Sequence, residues 1–499
     1  MKILTKILSL MLALLMLFSC FVACNNNDTP DAKESDDVAN TSDSGTVDDG
    51  SLEDIDWNGE SYIILGRDGG SASQFTNFEV GYDELPFDVV GQAVYKRNQN
   101  LRNKYNFKVV QNLVSETSTT AQIAYESGDD LYDLVIYRPS AVQAHAQSGY
   151  LLNIAELDHI NLDHDSWYQD VNEELTIGDK LYYTTNDFLL QDKHRFWYCF
   201  YNRGLAQDLN LGYFEDMVDN NTWTLENVTK IVKQGYADVD SISGRSYGDR
   251  YGFAFGSYFA LPVLAFSAGF KVTEKDSNNY PQLVGATDKS INILSSVFDL
   301  MYNTGTWCRP KEGVTNDDGH EEVMFKRGQV VILQAFTSFI DFFLLDDTGI
   351  SYGALPNPKL DSTQKNYNVF SNVDHGSFLA VPYTVSDEEF AGFALEAITE
   401  ESTNTSYTAY IDTKCKYQDA YDEDCARMLD LCFSSCTYDI GTFCNFGGLY
   451  SSLYMGGQGN GGLAALGGAN FYKRYFDTYK KAAQADIDEI IASYQGETN

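Results

Sequence analysis

Asp133-Leu-Val-Ile-Tyr137 is a short apolar run set between polar residues, and Pro139 stands two places beyond it. A run without polar alternation is the pattern of a strand buried on both faces. Pro139 cannot donate to a strand ladder and biases Arg138 towards extended backbone, so the chain must turn there. The following AVQAHAQSG reads as a short helix stopped by Gly149. Two more strand candidates follow, Lys180-Leu-Tyr-Tyr-Thr184 ahead of Asp187, and Trp197-Tyr-Cys-Phe-Tyr201 running into Asn202-Arg-Gly and a helix. The stretch from Tyr132 to Leu205 is therefore sheet, turn, sheet, helix, with polar groups released at strand ends.

The flanks continue the alternation. Ser61-Tyr-Ile-Ile-Leu65 predicts a strand that ends in the loop Gly66-Arg67-Asp68-Gly-Gly70. Asp88 can cap a helix whose Val90, Val94, Leu101 and Tyr105 share one face. Phe107 to Gln111 predicts the next strand, with a helix near Gln122 to Tyr125 after it. Such βαβαβ order implies a parallel sheet, and ligands of open α/β sheets sit beyond the carboxyl ends of the strands. Arg67 and Arg138 both fall there. Beyond Leu205 a second lobe is expected. A helix starts in Asn221 to Glu226, strands are expected at Tyr251–Phe255, 352–356 and 377–382, Phe325 to Leu333 reads as a turn entering a buried strand, and a helix is expected at Ile291 to Tyr302. Ser386-Asp-Glu-Glu389 predicts a capping box before Phe390, Phe393, Ala394, Ala397 and Ile398.

At 499 residues the chain exceeds one ordinary core and implies two domains or more. Its net charge of −38 argues against nucleic acid, which needs clustered Lys and Arg. Lys2 and Lys6 precede an apolar run from Ile7 to Leu17, too short for a membrane span and shaped like a signal peptide. Asn25 to Asp56 holds eleven acids against Lys33 alone, leaving a net of −10. It cannot bury enough apolar surface to order itself, and as a tether it should reach about 30 Å. Seven cysteines lie beyond Cys24, an odd number that argues against a complete disulfide framework. Cys425, Cys432 and Cys436 are placed on one helical face with Leu429 and Phe433 as small core residues.

Phe21-Val-Ala-Cys24 resembles the lipobox of bacterial lipoproteins, with Cys24 as the lipidated residue. Leu17-Phe-Ser-Cys20 is a rival match. The folded part resembles a bacterial extracellular solute-binding protein of the family 1 type, the capture component of an ABC importer, in its long clostridial form. The resemblance rests on FDVVGQAVYKRNQNLRNKYNFKV, YDLVIYR with SGYLLNIAEL, IGDKLYYTTNDF, YNRGLAQDLNL with TWTLENV, FKRGQVV, YGALPNPK and AVPYTVSDEEFAGFALEAI, in family order. It implies a two-lobed periplasmic-binding-protein-like α/β fold, each lobe a mixed sheet flanked by helices, joined by crossover hinge strands. Residues 1–23 would be the signal peptide and 24–56 the tether. The first lobe would take 57–183 and a return at 356–400, and the second 184–355 with the C-terminal helices of 401–499. Implied too are a monomer held at the extracellular face of the cytoplasmic membrane by lipid, a small-molecule ligand, and permease transmembrane subunits as partners. The chain departs from the family at Ala237 to Gly244, where members carry a calcium-loop-like segment. Ile242 sits where an oxygen ligand is needed and no glutamate completes the loop, so neither metal nor cofactor is expected. Asn366 to His375 also lacks the family's usual aromatic content.

Enzyme signatures are missing: there is no GxSxG, no GxxxxGK[ST] and no HExxH. Gly457-Gln-Gly-Asn-Gly-Gly462 matches GxGxxG by letter but follows no predicted strand, and reads as an inter-helix loop. With 72 acids a glycosidase dyad cannot be told from chance pairs. A sugar offers an apolar C–H face and a rim of hydroxyls, so its site needs flat rings and planar polar groups. Trp197, Phe336, Tyr258 and Phe259 are the aromatic candidates, with Arg67, Arg138, Asp187, Asn372 and Asp374 as polar ones. For Arg138 and Asp187 the alternative to a ligand contact is a pair with each other, since buried charges are paired or functional. A mono- or oligosaccharide is the expected ligand. A peptide or other polar solute is the alternative, and a secreted carbohydrate-active enzyme is the alternative of another class. The acidic body favours a cationic ligand over an anionic one.

Overall fold

In a computed structural model the described residues are 52–70, 76–240, 242–256, 259–313, 317–339, 350–371, 376–416, 423–454 and 468–496. The strands are β1 Ser61–Arg67, β2 Lys108–Val114, β3 Leu134–Tyr137, β4 Trp197–Asn202, β5 Tyr251–Phe255, β6 Thr273–Lys275, β7 Pro281–Leu283, β8 Thr306–Cys308, β9 Val330–Phe336, β10 Tyr352–Leu355, β11 Val369–Phe370, β12 Phe378–Ala380 and β13 Cys436–Thr437. They form a four-stranded sheet in the order β12-β3-β1-β2 and a five-stranded one in the order β10-β4-β9-β5-β8. Two short ribbons, β11 with β13 and β6 with β7, complete the set.

The first sheet is built as the sequence pattern demands. β1 pairs in parallel with both β2 and β3, and every residue of β3 is buried. Its two faces pack into different cores. Tyr62, Ile64, Leu134 and Ile136 meet Phe390, Phe393 and Ile398 of the Glu388–Ser402 helix. Leu65, Val135 and Tyr137 face the other way, with Ala121, Ala124 and Val142 of the Thr117–Ser127 and Pro139–Gln147 helices. Burying one such side chain stabilises by about 1.5–3 kcal/mol, so both helical layers are needed to hold the strand. Gly149 at φ +71° ends the Pro139–Gln147 helix in the left-handed region. The sheet is mixed, because β12 returns antiparallel to β3 with Leu379 opposite Ile136.

The second sheet is mixed as well. β5 runs parallel to β8 and β9, whereas β4 is antiparallel to β9 and β10 to β4. Residues 184–196 lead from the first sheet to the second, and 356–377 lead back. The Ala469–Tyr494 helix packs Tyr472 on Phe270, and its Tyr494 hydroxyl reaches Gln143 beside the first sheet. Among the described residues no helix is long and apolar enough to cross a membrane.

Three local expectations are corrected. Lys180 to Thr184 is not a strand; it makes only isolated bridges, Ile177 to Lys180 and Thr184 to Leu379, because the chain there crosses between layers and has no continuous neighbour to pair with. The cap of the Glu388–Ser402 helix is Asp387, whose carboxylate accepts from the Phe390 N–H at 2.9 Å, while the Ser386 hydroxyl donates to Asp130 instead. Cys436 is not on a helix with Cys425 and Cys432, because the Glu423–Ser434 helix ends first and Cys436 enters β13. The cap expected at Asp88 is present, accepting from the Gly91 N–H at 2.7 Å. The glycine loop at 457–462 lies outside the described residues.

Glu396 is a carboxyl sealed inside this architecture. Its Oε2 accepts from the Trp167 indole N–H at 2.9 Å and from the Asn161 N–H at 3.0 Å, yet burial pushes its pKa up to about 7. A group protonated more readily when folded gives stability that is present at low pH and lost as pH rises through the window from the ordinary carboxylate range to about 7. Glu396→Gln keeps an acceptor for both donors and removes the titration. Urea unfolding should show the variant more stable than the parent by about 2 kcal/mol at pH 8 and indistinguishable at pH 4.5. A gain of equal size at both pH values would refute the burial argument.

Candidate functional site

The carboxyl ends of β1 and β3 deliver two arginines. Leu65 pairs with Val135, so the parallel register brings Arg67 level with Tyr137, one residue before Arg138. Arg138 keeps extended backbone at φ −69°, ψ 141°, because Pro139 opens the next helix. Its guanidinium lies 4.0 Å from Glu116 and is partly exposed. Arg67 is 5% exposed, and its backbone N–H donates to Asn77 Oδ1 at 2.7 Å. The Asn77 amide in turn donates to Glu79 at 3.1 Å and to Ser377 at 3.3 Å. Burial first, then the fields of Arg138 and Arg195, hold Arg67 down at about 10 against the pull of Glu79 and Glu116. Burial likewise pushes Glu79 up to about 7.

Two of the aromatic candidates belong to the second sheet. Trp197 opens β4 and Phe336 closes β9, and the antiparallel register sets them opposite each other. Their ring centroids are 4.1 Å apart, and that of Phe259 stands 5.9 Å from Trp197. Directly opposite residues of an antiparallel pair bring their side chains together, and here both are aromatic. The Arg195 guanidinium lies 5.4 Å over the Phe336 ring and reaches the Ser338 hydroxyl at 3.3 Å. The Trp197 indole N–H is buried and has no acceptor among the described residues. The result is a cluster of three tilted rings, Trp197 buried and Phe259 and Phe336 partly exposed, with a guanidinium over the Phe336 ring; partly exposed rings beside such a planar polar group suit an apolar sugar face and its hydroxyl rim.

The sequence-named residues thus divide into groups. Trp197, Phe259 and Phe336 are together; Arg67 and Arg138 are together; Arg195 joins the two sets. Asp187 is elsewhere, in the crossing between the sheets. Its two oxygens accept from the Tyr168 hydroxyl at 2.6 Å and the Thr403 hydroxyl at 2.8 Å. The alternative pairing of Asp187 with Arg138 is corrected: Arg138 pairs with Glu116, and the cation beside Asp187 is Lys193. Tyr258, Asn372, Asp374 and Cys24 lie outside the described residues. Arg195, Asn77 and Glu79 went unnoticed in the sequence, although Lys193-His-Arg195 is a dense basic run for so acidic a chain. In the segment where the sequence departs from a calcium loop, Asp238, Asp240 and Asp249 bring ligand oxygens within 4.8 Å of one another. Asp249 accepts from the Val239 and Ser246 N–H groups and Asp240 from Ile242, so hydrogen bonds within the loop explain the cluster.

No family model and no curated relative matches the chain. Solved structures do. A cyclo/maltodextrin-binding protein complexed with maltotetraose superposes with a TM-score of 0.50 at 12% identity, covering 88% of this chain and 97% of that one. UspC of M. tuberculosis gives a TM-score of 0.53 at 12% identity, covering 85% of this chain and all of its own 100%. The fold is therefore the two-lobed, periplasmic-binding-protein-like α/β fold.

Asp187 supplies a test of the crossing. Lys193 is fully buried, and its ammonium lies 4.5 Å over the Tyr168 ring with Asp187 and Asp192 as its nearby anions. Asp187→Asn should lower the free energy of unfolding by about 3 kcal/mol, measured in urea at pH 7. A loss below about 0.5 kcal/mol, the ordinary size for a surface change, would show that Asp187 is not the counter-charge.

Proposed function

We propose that this protein is the extracellular substrate-binding component of an ABC importer, capturing a mono- or oligosaccharide between two lobes. The observation that carries the reading is the cluster of Trp197, Phe336 and Phe259 at the end of β4 and β9 within this fold. The first lobe comprises 57–183 with the return at 356–400. The second comprises 184–355 and most of 401–499. A ligand lying on the rings and hydrogen-bonded from the opposite rim touches both lobes at once, which stabilises the closed form by differential contact alone. No bond is broken, and the protein is not an enzyme. It acts as a monomer, handing its ligand to permease transmembrane subunits.

Anchoring completes the proposal. Cys24, lipidated after removal of residues 1–23, holds the protein at the outer face of the cytoplasmic membrane, and the acidic stretch to Asp56 serves as its tether. The expected readout is simple. Cys24→Ala should release the protein into the medium, whereas Cys20→Ala should leave it cell-bound; the opposite pattern would move the lipid to Cys20.

The ligand reading is checked by calorimetry against a panel of oligosaccharides and peptides. A saccharide should bind, and Phe336→Ala should weaken it by about tenfold or more, equivalent to about 1.4 kcal/mol. Phe336 is half-buried, so the fold tolerates the change better than it would at Trp197. Binding of peptides alone, or an affinity indifferent to Phe336, would sink the sugar assignment.

A further inference from the structure

The ring cluster occupies only part of its sheet edge. β5, β8 and β9 run parallel, so their carboxyl ends lie on one side, and β4 begins there because it is antiparallel to β9. In the order β4-β9-β5-β8 the first two strands bring Trp197 and Phe336. Phe255 is level with Gln334 on one side and Cys308 on the other, so the edge continues with Gly256 after β5 and Arg309 after β8. Glu321, which opens the Glu321–Lys326 helix, lays its carboxylate against Gly256, where a Cβ would overlap it. Glu321 thus stands one strand from Phe336 and Arg309 two strands away, which is about 10 Å across the edge. The pair is also unfinished. Arg309 Nε lies 3.4 Å from Glu321 Oε2, yet neither atom makes a hydrogen bond among the described residues, and Glu321 is only 5% exposed. The Arg309 guanidinium donates instead to His320 Nε2 at 3.0 Å. A buried acceptor without a donor is costly, and a pair built only to hold the fold would align its N–H with the oxygen. At the other end of the edge the Trp197 N–H likewise lacks an acceptor.

We infer, resting on the sugar reading, that this edge holds a neutral oligosaccharide of two units or more, one unit against the Trp197 and Phe336 rings and the next presenting two neighbouring hydroxyls to Glu321 and Arg309. A hydroxyl can donate and accept. One of the two donates to the Glu321 carboxylate while its neighbour accepts from the Arg309 guanidinium, and both bonds are strengthened by the charge on the protein side. A carboxylate or an ammonium on the ligand would meet one like charge in the pair, whereas a diol meets none. A single sugar ring is too short to lie on the aromatic pair and reach Arg309 as well.

The test is calorimetry on the full-length protein in detergent micelles. The probes are glucose, mannose, galactose and xylose, each with its α- and β-linked oligomers of two to four units. Within the series that binds, two units should bind about tenfold or more tightly than one. Glu321→Gln should shrink that advantage by about tenfold. Gly256→Ala should do the same with both charges in place, because its methyl displaces the Glu321 carboxylate, and Gly256 is not at positive φ, so its backbone accepts alanine. Single units binding as tightly as longer ones, or an advantage that both variants leave intact, would overturn this inference and leave the sugar reading standing. Equal weakening at every length, with a lowered unfolding midpoint, would mark the pair as structural and overturn it too. Failure of every saccharide, with response to another solute class, would end both readings.

Discussion

A lysine ammonium sealed between two aspartates governs how the two sheets are joined. Residues 183–202 are buried without interruption, and that run carries Asp187, Asp192 and Lys193. Taking each charge out of water costs several kcal/mol, which is recovered only when partners and hydrogen bonds are all in place. They are in place: Asp192 accepts from Ser371 and Tyr438, each at 2.8 Å, and Lys193 donates to the Asn186 carbonyl between the rings of Tyr168 and Tyr407. A crossing so constrained has one path. It therefore fixes the direction in which Arg195 and Trp197 emerge into the second sheet.

The two rims contribute different chemistry. The first sheet offers charge, because parallel strands end in loops that release polar side chains beyond the carboxyl edge. The second offers rings, because β4 and β9 meet there as an antiparallel pair whose end residues are both aromatic. Ser377 ties the arginine rim, through Asn77, to the segment returning to β12. The buried crossing joins the sheet that bears the arginines to the sheet that bears the rings.

Much of the framework was legible in the chain. The runs at 61–65, 133–137, 197–201 and 251–255 are strands because local apolar content and tertiary burial agree there. Lys180 to Thr184 misled for the same reason: its rings are buried, Tyr183 among them, but they fill the junction between layers rather than a ladder. Trp197, Phe259 and Phe336 could be named singly from strand ends, yet their meeting depends on the register of β4 against β9. Arg195 and Glu79 were invisible. A buried charge looks like a solvated one until its surroundings are known.

Five tryptophans are spread through the chain. Trp167, Trp223 and Trp307 are sealed, their N–H groups given to Glu396, Pro356 and Gly319, and Trp57 is wedged against Phe390 and Phe393. Trp197 alone stands in the ring cluster. Indole emission shifts with the polarity and hydrogen bonding of its surroundings. Occupancy of the cluster would thus be written in light by a single residue over the constant background of four, and the molecule carries its own optical gauge.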